Sequence, residues 1–404
     1  MAVRTLGGNR AGEMRITRFL RNPKVSVEEM VARAAAATAP RVAGLHVLAI
    51  QDTSTLRDDG GQRSIVVHPT LAVEAESGAV LGLLHGEVLR REGGQKQRRK
   101  HRPFADKESA RWLRGAEAAA GLCAAALRVT VIADRESDIY EAFAGRPAGV
   151  DLLVRACHDR VLADGERMFA RVAKQAEAGR LTVDLPAAPG RPARQAVLGL
   201  RYVAVEVQRP ELRAGGRDLP PSLTLNLVEA RESDPPPGTA PAHWRLLTTH
   251  RVESVEPARW IVGLYRRRWL IEELFRTLKT RGFDLERVAI AEAPFEKLAA
   301  AALIAAVSVL QLTRERDGQA GRPLHDVFHP DEQAALEAIS ASLEGNTARQ
   351  KNPHPKGSLA FAAWVCARLG GWTGYYGKPG PIVMLKGLHL FRAMQHGWSL
   401  AQHV

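Results

Sequence analysis

Short apolar runs, each cut off by a polar or glycine-bearing turn, dominate the N-terminal part of the chain. HVLAIQ (46–51) reads as a buried strand ending at Asp52-Thr53-Ser54. Residues 64–73 and 80–89 carry Val/Leu-rich strand patterns joined by a turn at Glu76-Ser77-Gly78. After an Ala-rich helix (108–127), RVTVIA (128–133) predicts another buried strand, which runs straight into Asp134-Arg135-Glu136-Ser137-Asp138. Ser137 reads as the cap of a helix through Phe143, and 151–155 as a further strand. Upstream, Ser26 followed by Glu29 is a capping box for a helix running towards Ala37, and the Gly/Arg-rich stretch 1–12 reads as unstructured.

Beyond Cys157 the pattern changes. Strands at 182–185, 196–207 and 222–230 alternate with Pro/Gly-rich punctuation, and Pro235-Pro236-Pro237 reads as an exit linker. One more strand is expected at 244–249, then a helix from near Val255 through Lys279. Apolar helices follow at 298–312, 331–343, 358–369 and 382–395. The last carries Leu385, Leu388, Phe391 and Met394 on one side, a stripe suited to core packing or to a second subunit. The segments divide as 1–40 (N-terminal helical remnant), 41–156 and 244–312 (two parts of a core), 157–243 (a β-rich insertion) and 313–404 (a helical region suited to dimerisation).

Within the expected helix, Tyr265, Arg268, Glu272 and Lys279 share an arc of about 60°, while Leu264, Ile271, Leu274, Phe275 and Leu278 form the neighbouring apolar arc. One carboxylate thus sits among an aromatic and cations. Alone, the stripe reads equally well as a solvated face with Arg–Glu pairs.

Charge changes the picture. Lys and Arg number 57 against 44 Asp and Glu, a net charge of +13 that points to a polyanion, most simply nucleic acid. The loop 90–102 concentrates cations suited to phosphate contact, among them Arg90, Arg91, Arg98, Arg99 and Lys100. Cys123, Cys157 and Cys366 are scattered without a CxxC pair, which argues against a disulfide framework or zinc site. No apolar run reaches the roughly 18 residues of a membrane span and no signal-peptide core is evident, so a cytoplasmic protein is expected.

The order three strands, helix, strand, helix, strand, insertion, helix would set the first and fourth strands side by side. Asp52 and Asp134 would then be neighbours, with the helix carrying Glu272 packed above them. Three carboxylates without His or Cys favour Mg²⁺ or Mn²⁺. Two such ions about 4 Å apart can drive in-line phosphoryl displacement. Glu273, the rival for the third acid, points about 100° away.

QDTST (51–55), ADRESDIY (133–140) and Tyr-x2-Arg-x3-Glu-x6-Lys at Tyr265, Arg268, Glu272 and Lys279 together resemble the DDE transposases of insertion-sequence family four, in the Tn-five branch. The similarity runs from Arg18-Phe19-Leu20-Arg21-Asn22-Pro23 to the C-terminal helices, including Leu369-Gly370-Gly371. It implies an α/β, RNase H-like mixed sheet with flanking helices, a β-rich insertion before the Glu-bearing helix, and a C-terminal helical region. It implies metal-dependent nicking, hairpin formation and opening at transposon ends, and strand transfer into target DNA by a homodimer. Carried over residue by residue, it makes Asp52, Asp134 and Glu272 the catalytic and metal-binding triad. Tyr265, Arg268, Lys279 and Arg155 become DNA contacts, and Trp244 the aromatic that accommodates a flipped base. Members carry a helical DNA-binding segment ahead of the Arg18 stretch, where only residues 1–17 stand here. That departure leaves a second reading: a non-catalytic regulator that pairs with full-length transposase and inhibits it.

Overall fold

The computed structural model describes residues 9–60, 63–92, 103–185, 192–211, 218–280, 282–288 and 290–401. Its strands are β1 (His46–Gln51), β2 (Ser54–Asp58), β3 (Arg63–Glu74), β4 (Val80–Glu92), β5 (Arg128–Ala133), β6 (Val150–Arg155), β7 (Gly179–Leu185), β8 (Arg194–Gln208), β9 (Ser222–Glu232) and β10 (His243–Thr248). All belong to one mixed sheet, ordered β2-β3-β1-β5-β6-β10-β9-β8-β7, with β4 also on β3. The central pairs β1–β5 and β5–β6 are parallel, whereas β1–β3, β3–β4 and β6–β10 are antiparallel.

One strand was not evident from the hydrophobic pattern. β2 is short, its sequence STLRD is largely polar, and only Leu56 is buried. Because β4 pairs with β3 from Arg63↔Glu92 to Val73↔Val80, β1 and β2 share the opposite edge of β3, end to end. The register is unchanged from Gln51↔Thr70 to Ser54↔Val67, which sets Asp52 opposite Pro69. Proline offers no N–H to a ladder, so the hydrogen-bonded edge lapses at Asp52-Thr53. The acid therefore sits at a gap between two strands.

The expected insertion strands β7, β8 and β9 form no sheet of their own; through β10 they extend the central one. Alternation along the central strands divides the core. Leu48, Ile50, Ile132, Leu153 and Leu246 face one way, and Val47, Ala49, Val131, Leu152 and Leu247 the other.

The helices of ordinary length in the first half are α1 (Arg10–Arg21), α2 (Val27–Thr38) and α3 (Arg111–Leu122), followed by the short α4 (Tyr140–Ala144) and α5 (Met168–Ala173). Then come α6 (Val255–Arg266), α7 (Trp269–Lys279), α8 (Glu292–Glu315), α9 (Gln333–Leu343), α10 (Leu359–Leu369) and α11 (Pro381–Ala401). α6, α7 and α8 cover the face that carries Leu48 and Ile132, and α3 and α4 cover the other. Helices α9 to α11 pack with the end of α8 in a third cluster around Leu336, Trp364 and Phe391. A mixed sheet with helices on both faces is compatible with an RNase H-like fold. By length and composition, Ala293–Glu315 could cross a membrane; 67% of its apolar window is buried inside the protein.

Three local expectations are corrected. Ser26 does cap α2, accepting from Glu29 N at 3.0 Å. Residues 10–12, however, belong to α1, whose cap Asn9 accepts from Gly12 N at 2.8 Å. Ser137 caps nothing: it lies in a 3-10 turn (Arg135–Ser137) whose cap is Asp134, and α4 has no side-chain cap. Most consequential, the helix expected from Val255 to Lys279 is two. At the joint the N–H groups of Arg267, Arg268, Leu270 and Ile271 each reach the carbonyl three residues back, tightening the turn and placing Arg268 between α6 and α7.

Candidate active site

Asp52 and Asp134 are brought together by register. Ile50 pairs with Ile132 in the parallel β1–β5 ladder, and each acid follows two residues later at the carboxyl end of its strand. Asp52 Oδ1 accepts from Thr53 N at 2.7 Å, and Asp134 Oδ1 from Glu136 N at 2.9 Å. Glu272 arrives from α7, whose apolar positions Ile271, Leu274 and Leu278 are buried against the sheet.

Arg268 joins the acids. Its guanidinium donates from Nη1 to Asp52 Oδ2 at 2.8 Å and from Nη2 to Glu272 Oε1 at 2.6 Å. The three side chains are only 11, 16 and 28% exposed for Arg268, Asp52 and Glu272. Burial, followed by the nearby Asp134 charge, pushes the Asp52 carboxyl up to about 6, against the opposing pull of Arg268 and the Thr53 amide. Burial alone would lower the Arg268 pKa, but Tyr265, Asp52 and Glu272 outweigh it and the net shift is upward. Arg268 Nε is buried and has no hydrogen-bond partner among the described residues. The chemistry suits a metal in one respect: hard oxygen donors of two acids face a common point, and a guanidinium holds the place of a cation between them. The oxygens of the three acids do not all lie within 4.8 Å of one another.

Around them stand the other expected contacts. Tyr265 is buried, its ring 5.8 Å from Arg268 Cζ and 6.3 Å from the Trp244 ring. Trp244 is half-buried on β10, packed against the core. Arg155 donates to His243 O at 3.0 Å, and burial holds its pKa below the usual arginine range. Lys279, two turns beyond Glu272 on α7, sets its Nζ 3.4 Å from Glu286 Oε1. Glu273 turns away from Asp52 and lines a neighbouring cavity. Of the cations expected in the loop 90–102, Arg90 and Arg91 are instead the end of β4, pairing with Glu296 and with Glu108 at 2.6 Å, while Arg98, Arg99 and Lys100 lie outside the described residues.

Two positioning groups escaped the sequence reading. Arg111 of α3, 4% exposed, donates to Thr53 Oγ1 at 3.0 Å and to Glu136 Oε2 at 2.7 Å, tying the residue after Asp52 to the turn after Asp134. Its only sequence signal is an arginine at the start of an Ala-rich helix. Asp138, 1% exposed, accepts from Cys157 N at 2.8 Å, His158 N at 2.9 Å and Arg160 Nη2 at 2.6 Å. Among the described residues, Asp138, Cys157 and His158 are the group close enough to share one ion. Yet that carboxylate is already engaged by backbone and guanidinium donors, and burial together with Asp138 raises the Cys157 thiol pKa, so the cluster reads as a clamp on the turn after Asp134.

Adjacent acids at the ends of parallel strands, a third acid on an overlying helix and surrounding cations define a class: proteins that act on nucleic acid phosphates through an acid cluster on a mixed sheet. The transposase DDE domain family model matches residues 53–308, well over half of the chain, and the chain belongs to that family. It is accordingly a transposase domain of the insertion-sequence kind, a DNA-binding nuclease and recombination enzyme.

Proposed function

We propose that the chain cleaves the ends of its own element and joins them to target DNA, with Asp52, Asp134 and Glu272 as the triad. The observation that carries this reading is the Asp52–Arg268–Glu272 bridge beside Asp134, a half-buried acid cluster already drawn around a cation. Two Mg²⁺ or Mn²⁺ ions would be held by those carboxylates and would supply activation of a water or 3′-hydroxyl and stabilisation of the leaving oxygen. Asp52 must lose its proton to serve, and Arg268 keeps it ionised near neutral pH. The Thr53 amide and Arg111 fix the Asp52 loop, while the Glu136 amide fixes Asp134.

The finer reading is a hairpin-type cut-and-paste route in the manner of insertion-sequence family four. Hairpin formation needs a sharply bent strand with a base out of the stack, which calls for an aromatic face beside clamped phosphates. Trp244, Tyr265, Arg155 and Arg268 supply both within one cluster. The enzyme would act as a homodimer on paired ends in the cytoplasm.

The test is incubation with Mg²⁺ and labelled duplexes taken from the DNA that flanks the gene, with any inverted repeat found there placed at the duplex end. Cutting by the native chain and none by Asp52→Asn is expected. Hairpin-sized products separate the cut-and-paste route from simple nicking. Cleavage that survives Asp52→Asn would sink the assignment of the triad.

A further inference from the structure

Beside the acids opens a cavity of about 1170 Å³, walled by α6, α7, the β10 entry and the end of α8. Six arginines line it: Arg135, Arg155, Arg266, Arg267, Arg276 and Arg314. None forms an ion pair with a carboxylate among the described residues. Elsewhere such pairing is common, as in Arg114–Glu87, Arg160–Asp138 and Arg194–Glu232. The acids that share the wall, Glu76, Asp184 and Glu273, are outnumbered two to one.

Aromatic surface is concentrated here as well. Trp244, Trp260 and Trp269 line the cavity, three of the chain's seven tryptophans. On α7, Trp269, Glu273 and Arg276 follow helical spacing and form a second stripe about 100° round from Arg268 and Glu272. One short helix thus presents the acid site on one side and this cavity on the other. Gly263 of α6 also borders it, and a Cβ built there meets nothing within 4 Å.

Arg155 is held by His243 O and Arg267 by Glu76 O, which leaves Arg135, Arg266, Arg276 and Arg314 as the lining cations without a carboxylate or carbonyl partner among the described residues. Arginines without ion pairs set among tryptophans in one cavity are the chemistry of single-stranded nucleic acid binding: guanidiniums track the backbone, and bases of any sequence stack. A duplex keeps its bases stacked inside and gives such indoles nothing to hold. We propose that the cavity binds an unpaired stretch of DNA strand running away from the acids, past Trp269 and Arg276 towards Arg314. The proposal rests on the transposase reading for the identity of its ligand, but not on cleavage.

Binding of a fluorescein-labelled oligo-dT to the full chain, followed by anisotropy in EDTA across a salt series, tests it. The exposed pair Arg276→Glu with Arg314→Glu should weaken binding at least tenfold at about 0.1 M salt and flatten the salt slope by about 1.4, two phosphates at roughly 0.7 each. Gly263→Phe, which fills the cavity without changing charge, should weaken binding while leaving the slope nearly intact. Arg146→Glu, at the opposite end of the parallel strands, should change nothing. Oligo binding that is unaltered in both cavity variants overturns the proposal, as does equal competition by an unlabelled duplex of the same length. The two ideas fail separately. Duplex ends cut in Mg²⁺ with oligo binding indifferent to the variants removes only the cavity, whereas variant-sensitive oligo binding without any cutting removes only the cleavage reading.

Discussion

Arg268 reaches across 216 positions of sequence to donate to Asp52 at 2.8 Å, and its other terminal nitrogen holds Glu272. A side chain expected to grip DNA is, in the free protein, the counter-ion of two acids. A phosphate that drew Arg268 away would also satisfy its orphaned Nε–H and leave those carboxylates seeking a cation. Divalent-ion affinity should therefore rise when DNA is present. Mn²⁺ titration with and without a non-cleavable duplex measures this, and equal affinities would show that Arg268 does not stand in the ion's way.

Removing the counter-ion gives the complementary prediction. Arg268→Ala leaves Asp52 and Glu272 half-buried beside Asp134 with no cation, and should cost about 2–4 kcal/mol of stability in EDTA. Mg²⁺ should restore part of that loss by binding only the folded state. Denaturant unfolding with and without the ion checks both halves. In DNA assays the same variant should impair the proposed hairpin processing more than simple binding, since one phosphate contact is a small share of the electrostatic affinity.

The Asp52 carboxyl, pushed up to about 6, makes the site pH-sensitive just below neutrality. Metal binding and cleavage should fall as pH drops through about 6, because the protonated acid is a poor ligand. Stability runs the other way. A folded-state pKa above the usual carboxylate value of about 4 means the native state holds this proton more tightly, so its contribution is present at low pH and is lost as pH rises from about 4 through 6. In EDTA above pH 6, Asp52→Asn should melt at a higher temperature than the native chain; a lower melting temperature would contradict the burial argument.

Much of this site was legible in sequence because strands announce themselves by composition. RVTVIA and HVLAIQ fixed the two aspartates at strand ends, and the placement of β5 beside β1 followed from the order of elements. Helical spacing singled out Glu272 over Glu273, and the structure gives Glu272 the contact with Arg268. What was not legible depends on tertiary register. Pro69 breaks the ladder opposite Asp52 only once β1 and β2 share one edge of β3. The joint at Arg267-Arg268 carries no proline or glycine to mark it, and the pairing of Lys279 with Glu286 requires the turn after α7. Arg111 looks like any helix arginine until Thr53 and Glu136 are seen at its tip.

Arg111 accordingly carries its own prediction. Arg111→Lys keeps the charge but cannot make the forked contacts to Thr53 and Glu136 together. The variant should fold, bind duplex DNA with near-native affinity and cleave at least tenfold more slowly, with weaker Mn²⁺ binding as the sign that the acid loops have drifted apart. Slow cleavage with native Mn²⁺ affinity would instead place the role of Arg111 outside the geometry of the acids.

The cationic loop offers the last test. Arg98, Arg99 and Lys100 lie outside the described residues, whereas Arg90 and Arg91, expected to open the loop, belong to the end of β4 and are anchored by Glu296 and Glu108. With its first two cations committed to ion pairs, contact with phosphates falls to the residues beyond them. Each phosphate neutralised on duplex DNA contributes about 0.9 to the salt slope, so replacing all three by alanine should flatten that slope by as much as roughly 2.7. Such contacts carry no base information, so affinity should fall alike for element ends and unrelated duplex. Binding measured at four or five salt concentrations decides the matter. An unchanged slope would exclude the three residues from the DNA surface, and a loss confined to element ends would turn them from backbone contacts into sequence readers.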